Sequence, residues 1–116
     1  MHELPVTQSV LDIVVRHAEQ AGAARITDIR LVIGQLSSIV DDSVQFYWDM
    51  IAAGTIAEGA RLHFQRVPAQ MQCQACGAAF ALAASADFAC PQCGSSSVHV
   101  TGGEEFYVES IDVETA

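Results

Sequence analysis

Cys73-Gln74-Ala75-Cys76-Gly77 and Cys90-Pro91-Gln92-Cys93-Gly94, with thirteen residues between Cys76 and Cys90, decide how this chain has to be read. Each segment is a C-x-x-C-G knuckle. Its tight turn presents two sulfurs on one side, with backbone N–H groups near the turn able to point at them. Two knuckles joined by a short excursion put four thiolates at the corners of a tetrahedron. That is a closed metal site, with every coordination position filled by protein, and all-thiolate tetrahedral ligation suits zinc.

Two other readings of the cysteines are weaker. Rubredoxins, which hold a redox iron, carry similar knuckles, but the excursion here is much shorter than theirs. Electron transfer of that kind also has no need of a 70-residue α/β domain ahead of it. A thioredoxin-like pair occurs once, at a helix start after a strand, whereas these pairs occur twice. The segment between and around the knuckles has few large apolar residues, namely Phe80, Leu82, Phe88 and Val98. It cannot fold by burial alone. Metal ligation worth on the order of 10 kcal/mol would fold it. A saturated zinc does no chemistry, so the function has to be sought elsewhere in the chain.

Outward from the knuckles, the sequence alternates helix and strand. Residues 5–21 read as an amphipathic helix. Pro5 suits its first turn, Val6, Val10, Ile13, Val14, Ala18 and Ala21 form the apolar stripe, and Gly22 stops it. Ile26–Ile33 alternates as a strand ending at Gly34. A polar loop follows, and Asp41 or Asp42 is placed to cap a second helix bearing Val44, Tyr47, Trp48 and Ile51, which ends near Gly54. Arg61–Val67 is a second strand, closed by Pro68. Gly102-Gly103 reads as a hinge after the ribbon. Phe106–Val113 is the last strand, and its apolar phase shifts between Val108 and Ile111, the signature of a bulge. The expected fold is therefore α/β: a small domain of two helices on a three-stranded sheet (residues 1–69 plus 102–116) with an inserted zinc ribbon (residues 70–101).

Composition narrows the function. The chain has 116 residues, 51% of them hydrophobic, enough for one small domain and a metal-stapled appendage. No window approaches the roughly 18 apolar residues of a membrane span. Met1-His2-Glu3 begins neither a basic nor an apolar leader, so a cytoplasmic setting is expected, in which paired cysteines are metal ligands sooner than disulfides. Fourteen acidic residues against five Lys and Arg give a net charge of −9. Four thiolates around one Zn²⁺ take this to about −11. Such a surface repels phosphate backbones, and Arg61 with Arg66 is too sparse a cluster for a nucleic-acid footprint. No activated Ser or Cys arrangement supports catalysis, so the chain does not read as an enzyme.

The amino terminus carries the remaining chemistry. His2 lies beside the α-amine of Met1. It can chelate through Nδ1 and its own backbone nitrogen in a six-membered ring, and the Glu3 nitrogen adds a five-membered ring. Square-planar nitrogen donors select Ni²⁺ or Cu²⁺ over Zn²⁺. The His2 nitrogen has only two in-plane neighbours, so at least one donor of the set is axial, exchangeable or replaced by an outside group, which suits a site that must release its metal. The Glu3 carboxylate could take an axial place or hydrogen-bond nearby. Pro5, lacking an N–H, cannot extend the amide donors. The other histidines are expected to be bland: His17 solvated on the first helix, His63 in a strand and packed at the edge of the core. His99, six residues beyond the second knuckle, could swing toward a metal.

Several segments together resemble the HypA/HybF family of hydrogenase maturation factors: Met1-His2-Glu3-Leu4, Gln8-Ser9-Val10, Ile33-Gly34-Gln35-Leu36-Ser37, the run from Ala53-Gly54-Thr55 to Glu58-Gly59-Ala60, and the double knuckle. The likeness covers essentially the whole chain in the family's order. It implies a nickel metallochaperone, with Ni(II) held at Met1, His2 and Glu3 and structural zinc at Cys73, Cys76, Cys90 and Cys93. It also implies a HypB-type GTPase partner and a [NiFe]-hydrogenase large-subunit precursor as client. The family start is Met-His-Glu-Leu-Ser. Pro5 replaces the serine here, which stiffens the start of the helix without touching a ligand. From the residues alone, the rival is a zinc-ribbon adaptor that binds only protein, its amino terminus inert. The chain can be a monomer or a dimer on these grounds.

Overall fold

The computed structural model describes residues 3–82 and 89–115. In chain order the elements are α1 (Glu3–Gln20), β1 (Ala23–Gly34), α2 (Asp41–Ile51), β2 (Arg61–Val67), β3 (Gln70–Cys73), β4 (Ala79–Ala81), β5 (Val98–Gly102) and β6 (Phe106–Thr115). They form two three-stranded sheets, ordered β2-β1-β6 and β4-β3-β5. The α/β class and the four-cysteine ribbon are as the sequence led one to expect. The chain divides into two compact units, one of Met1–Val32, Ser38–Gln65 and Phe106–Ala116, the other of Ile33–Ser37 and Arg66–Glu105.

The first unit is built on burial. Val10, Leu11, Val14 and Ala18 of α1 are buried, with Thr7 on the same stripe, as are Ile26, Ile29 and Leu31 of β1 and Val44 and Trp48 of α2. Burying each such aliphatic side chain contributes about 1.5–3 kcal/mol. The stripe of α1 is rotated slightly from the expected one. Leu11 replaces Ile13, which is 40% exposed. In β6 the half-buried positions fall at Phe106, Val108, Ile111 and Val113, with Glu109 and Ser110 both exposed, so the inward phase slips where the sequence signals a bulge. The second helix departs from expectation at its start. Its N-cap is Val40, which makes no side-chain capping bond, and Asp41 and Asp42 lie in the first turn, where their charge suits the helix dipole.

The second unit has a small core of Ala69, Met71 and Leu82, with Leu36, Phe80, Val98 and Val100 packed against it. Strand β3 pairs antiparallel with both neighbours, Met71 opposite Phe80 on one side and Val100 on the other. At its root, three chain segments cross. Gly34 N–H donates to Glu105 O (2.7 Å), Leu36 N–H to Gly103 O (2.7 Å) and Gln35 N–H to Val67 O (2.9 Å), while the Gln35 side chain accepts from Ala69 N–H (2.8 Å). A Cβ on Gly34 would collide with the Gly103 carbonyl, and one on Gly103 (φ +107°) would lie 2.5 Å from Ala69 Cα. Gly103 is buried in this crossing. Gly103 is therefore a close-packed joint and not the loose hinge that the composition of the pair suggests, while Gly102 beside it has room for a side chain.

Candidate metal centre

The two knuckles have the same local geometry. Cys73 ends β3, and Gly77 N–H donates to Cys73 O (2.9 Å) while Cys73 N–H donates to Ala78 O (2.9 Å). In the second knuckle Gly94 N–H donates to Cys90 O (2.8 Å) and Cys90 N–H to Ser95 O (2.9 Å). Gly77 and Gly94 close these turns at φ +78° and +74°, conformations that an L side chain resists. The repeated C-x-x-C-G spacing is thus a repeated turn, and Gln74 N–H to Ser97 O (2.8 Å) ties one side to the other.

The turns bring together Cys73, Cys76, Cys90 and Cys93, whose sulfurs all lie within 4.8 Å of one another. Cys73 Sγ is 3.6 Å from Cys93 Sγ, and Cys76 Sγ is 3.7 Å from Cys90 Sγ. A tetrahedral Zn²⁺ with bonds of about 2.3 Å needs sulfurs about 3.8 Å apart. The donor set and its spacing fit that ion. The first cysteine of each knuckle is buried and the second exposed. Cys76 N–H points at Cys73 Sγ (3.4 Å). That hydrogen bond is the main reason the Cys73 thiol is lowered to about 7. Cys93 has an N–H from Ser95 favouring its thiolate, but the Cys73 sulfur and burial outweigh it and push it up to about 12. Backbone hydrogen bonds thus favour the thiolate at Cys73 and Cys90, while neighbouring sulfurs and burial disfavour it at Cys76 and Cys93. A cation is what lets all four exist as thiolates.

Met1 and His2, which the sequence reading expects as nickel donors, lie outside the described residues. Glu3 is the first residue of α1, and no intrahelical carbonyl reaches the N–H of a first helical residue. Its side chain is only 7% exposed. Glu3 Oε2 accepts from Val40 N–H at the start of α2 (3.4 Å), and Thr7 Oγ1 donates to Glu3 O (2.5 Å). The carboxylate thus faces the positive end of α2, a favourable place for an anion. Nothing local in the sequence marks Val40, 37 positions away, as its partner.

Among the described residues the sulfur cluster includes no histidine. His17 is exposed on α1. His63 is not packed at the edge of the core but is exposed on β2. Its Nε2 lies 2.8 Å from Asp28 Oδ1, and the hydrogen bond from His63 holds the Asp28 carboxyl below its usual range. His99 is exposed on β5 opposite Gln72, whereas Cys73 is opposite Val98. Alternation along β5 puts it on the other face of the strand from the residue opposite Cys73, and the described metal-ligand cluster does not include it.

Among the described residues no helix is long and apolar enough to cross a membrane. Residues 1–113 match the family described as "Hydrogenase/urease nickel incorporation, metallochaperone, hypA". The hydrogenase maturation factor HypA of Caldanaerobacter subterraneus subsp. tengcongensis is 44% identical over 115 residues, covering 98% of this chain and 100% of that one. The HypA of Geobacter sulfurreducens is 41% identical over 114 residues, again with 98% and 100% covered. The solution structure of the Ni metallochaperone HypA from Helicobacter pylori superposes with a TM-score of 0.68 at 21% identity, covering 100% of both chains. A second HypA solution structure gives 0.73 at 22% identity, over 100% of this chain and 98% of the other. Those two likenesses speak for the fold. The family match and the close relatives speak for kinship, and on them the chain belongs to the HypA family, whose members are metallochaperones and not enzymes.

Proposed function

We propose that this protein binds Ni(II) at its amino terminus and delivers it for maturation of a [NiFe]-hydrogenase. The donors are the Met1 amine, the His2 imidazole and backbone nitrogen, and the Glu3 backbone nitrogen. The Glu3 carboxylate, engaged with the Val40 amide, anchors the segment. A zinc ion held by Cys73, Cys76, Cys90 and Cys93 fixes the ribbon and takes no part in transfer. What carries this reading is the Met1-His2-Glu3 start at the head of a chain matched along its length by a nickel-incorporation family.

The chemistry sets the division of roles. Thiolates hold zinc in a closed shell, with no position for a substrate. Nitrogen donors in a plane favour nickel, and a site short of a full in-plane set can exchange one ligand for an incoming donor. Nickel here is cargo. The hydrogenase large-subunit precursor is the proposed recipient and a HypB-type GTPase the proposed partner, in the cytoplasm. We assign the nickel role to residues 1–69 with 102–116, and the zinc role to residues 70–101.

The test is a Ni(II) titration of untagged, zinc-loaded protein beside a form with one extra glycine before Met1. The untagged protein should take one Ni(II) and develop the yellow band of low-spin square-planar nickel. The extended form should bind more weakly. Affinity should fall as the pH drops through about 6.5, where imidazole takes up a proton. Equal affinity for the two forms would remove the amine from the ligand set. A flat response from pH 8 to 5.5 would remove the imidazole.

A further inference from the structure

β6 is the outermost strand of the order β2-β1-β6, so among the described residues it pairs with β1 alone and one edge is open along its ten residues. Open edges present unpaired N–H and C=O groups and are ready to take another strand. This one has a floor. A groove of about 280 Å³ runs between α1 and β6, lined by Ile13, Val14 and His17 on the helix and by Val108 and Ile111 on the strand. Ile13 is the α1 residue that left the core stripe, and it faces this groove at 40% exposure.

Charge selects the occupant. β6 carries Glu109, Asp112 and Glu114 and no basic residue. Arg30 holds Asp112 and Arg25 holds Glu114, each at 3.0 Å, while Glu109 borders the groove itself. A second copy of this chain, pairing β6 against β6, would set acidic strands opposite each other in a molecule of charge −9. Like charges directly across a strand pair are destabilising. A cationic extended segment reverses that sign.

We propose that the β6 edge and the α1 groove form a docking site for an extended segment of another protein, added as a fourth strand of β2-β1-β6, with apolar residues at alternate positions and Lys or Arg between them. Main-chain hydrogen bonds to β6 supply affinity. The alternate apolar side chains fill the groove over Ile13, Val108 and Ile111, and the cationic ones meet Glu109.

The experiment titrates ¹⁵N-labelled, zinc-loaded full chain with the peptide acetyl-Lys-Val-Arg-Val-Lys-Val-Lys-amide. The same peptide with glutamate at every charged position is the control. The cationic peptide should shift amides of β6 and of the α1 turn from Ile13 to His17, and the anionic one should not. Ile13→Glu and Glu109→Lys should each weaken binding by about tenfold. The emission of Trp48, the single tryptophan and buried in the first unit, reports that each variant is folded. Three outcomes overturn the proposal: no shifts at millimolar peptide, equal shifts with the anionic peptide, or β6 shifts that appear on concentrating the protein alone and mark a second copy as the occupant.

Discussion

The two units of this chain are held together by different physics. The first buries a run of aliphatic side chains and one tryptophan and has a core of its own. The second has three buried residues in its cluster and a set of four sulfurs poised at ligand distance. Burial of Ala69, Met71 and Leu82 is too little to offset the entropy of ordering some forty residues, at about 1–2 kcal/mol each. The comparison teaches that a sequence can specify fold through area in one half and through donor atoms in the other.

That contrast can be broken most severely by taking away the zinc proposed for the four cysteines. A strong chelator, or Cys73→Ser, removes ligation worth on the order of 10 kcal/mol. Near-UV and amide signals of residues 70–82 and 89–102 should collapse, while the helical signal and Trp48 emission of the first unit persist. Loss of both together would show that the units share one source of stability.

The reverse experiment is Ile29→Ala. Ile29 is fully buried in β1, and its truncation should cost about 2–5 kcal/mol. Thermal unfolding followed by Trp48 emission should shift strongly, with zinc still bound at one per chain. Zinc loss in this variant would again join the units energetically.

Gly34→Ala probes the root of the ribbon. Its methyl would meet the Gly103 carbonyl, and forced repacking of this kind costs about 1–3 kcal/mol. Amide exchange of Leu36 and Ala69 should speed up more than that of α1. Uniform effects would contradict the assignment of Ile33–Ser37 to the second unit.

The smallest effect is expected at Asp28. Its carboxyl is held below the ordinary value of 3.8 by the hydrogen bond from His63, so it stabilises the fold in its ionised form. That contribution is present above pH about 4 and is lost as the pH falls through the lowered folded value. Asp28→Asn should therefore leave urea midpoints nearly unchanged in dilute acid and lower them slightly near neutrality. His63 is exposed and Asp28 half-buried, so added salt should shrink the difference.

What could be read from the sequence follows the range of the interactions. The knuckles were legible because C-x-x-C-G is a local turn with local donors, and Gly77 and Gly94 sit where the turn needs a positive φ. Both helices, β2 and the phase slip in β6 were legible from periodicity. The exact face of α1 was not, since Leu11 and Ile13 are equally apolar and tertiary packing chose between them. Nor was the cap of α2. The aspartates read as caps, yet the N-cap is Val40, whose N–H binds Glu3 from the other helix. Gly102-Gly103 read as a flexible joint because composition cannot show that Gly34 and Ala69 crowd against Gly103. Asp28 and His63, 35 positions apart, meet only because β1 and β2 pair.

The division between a resident and a transferable metal can be measured in one comparison. Untagged wild type and His2→Ala are each loaded with zinc and one equivalent of Ni(II), desalted and analysed for both metals. Wild type should carry one zinc and one nickel, and the variant one zinc and no nickel. Stoichiometric nickel retained by His2→Ala would contradict the nitrogen site at the amino terminus.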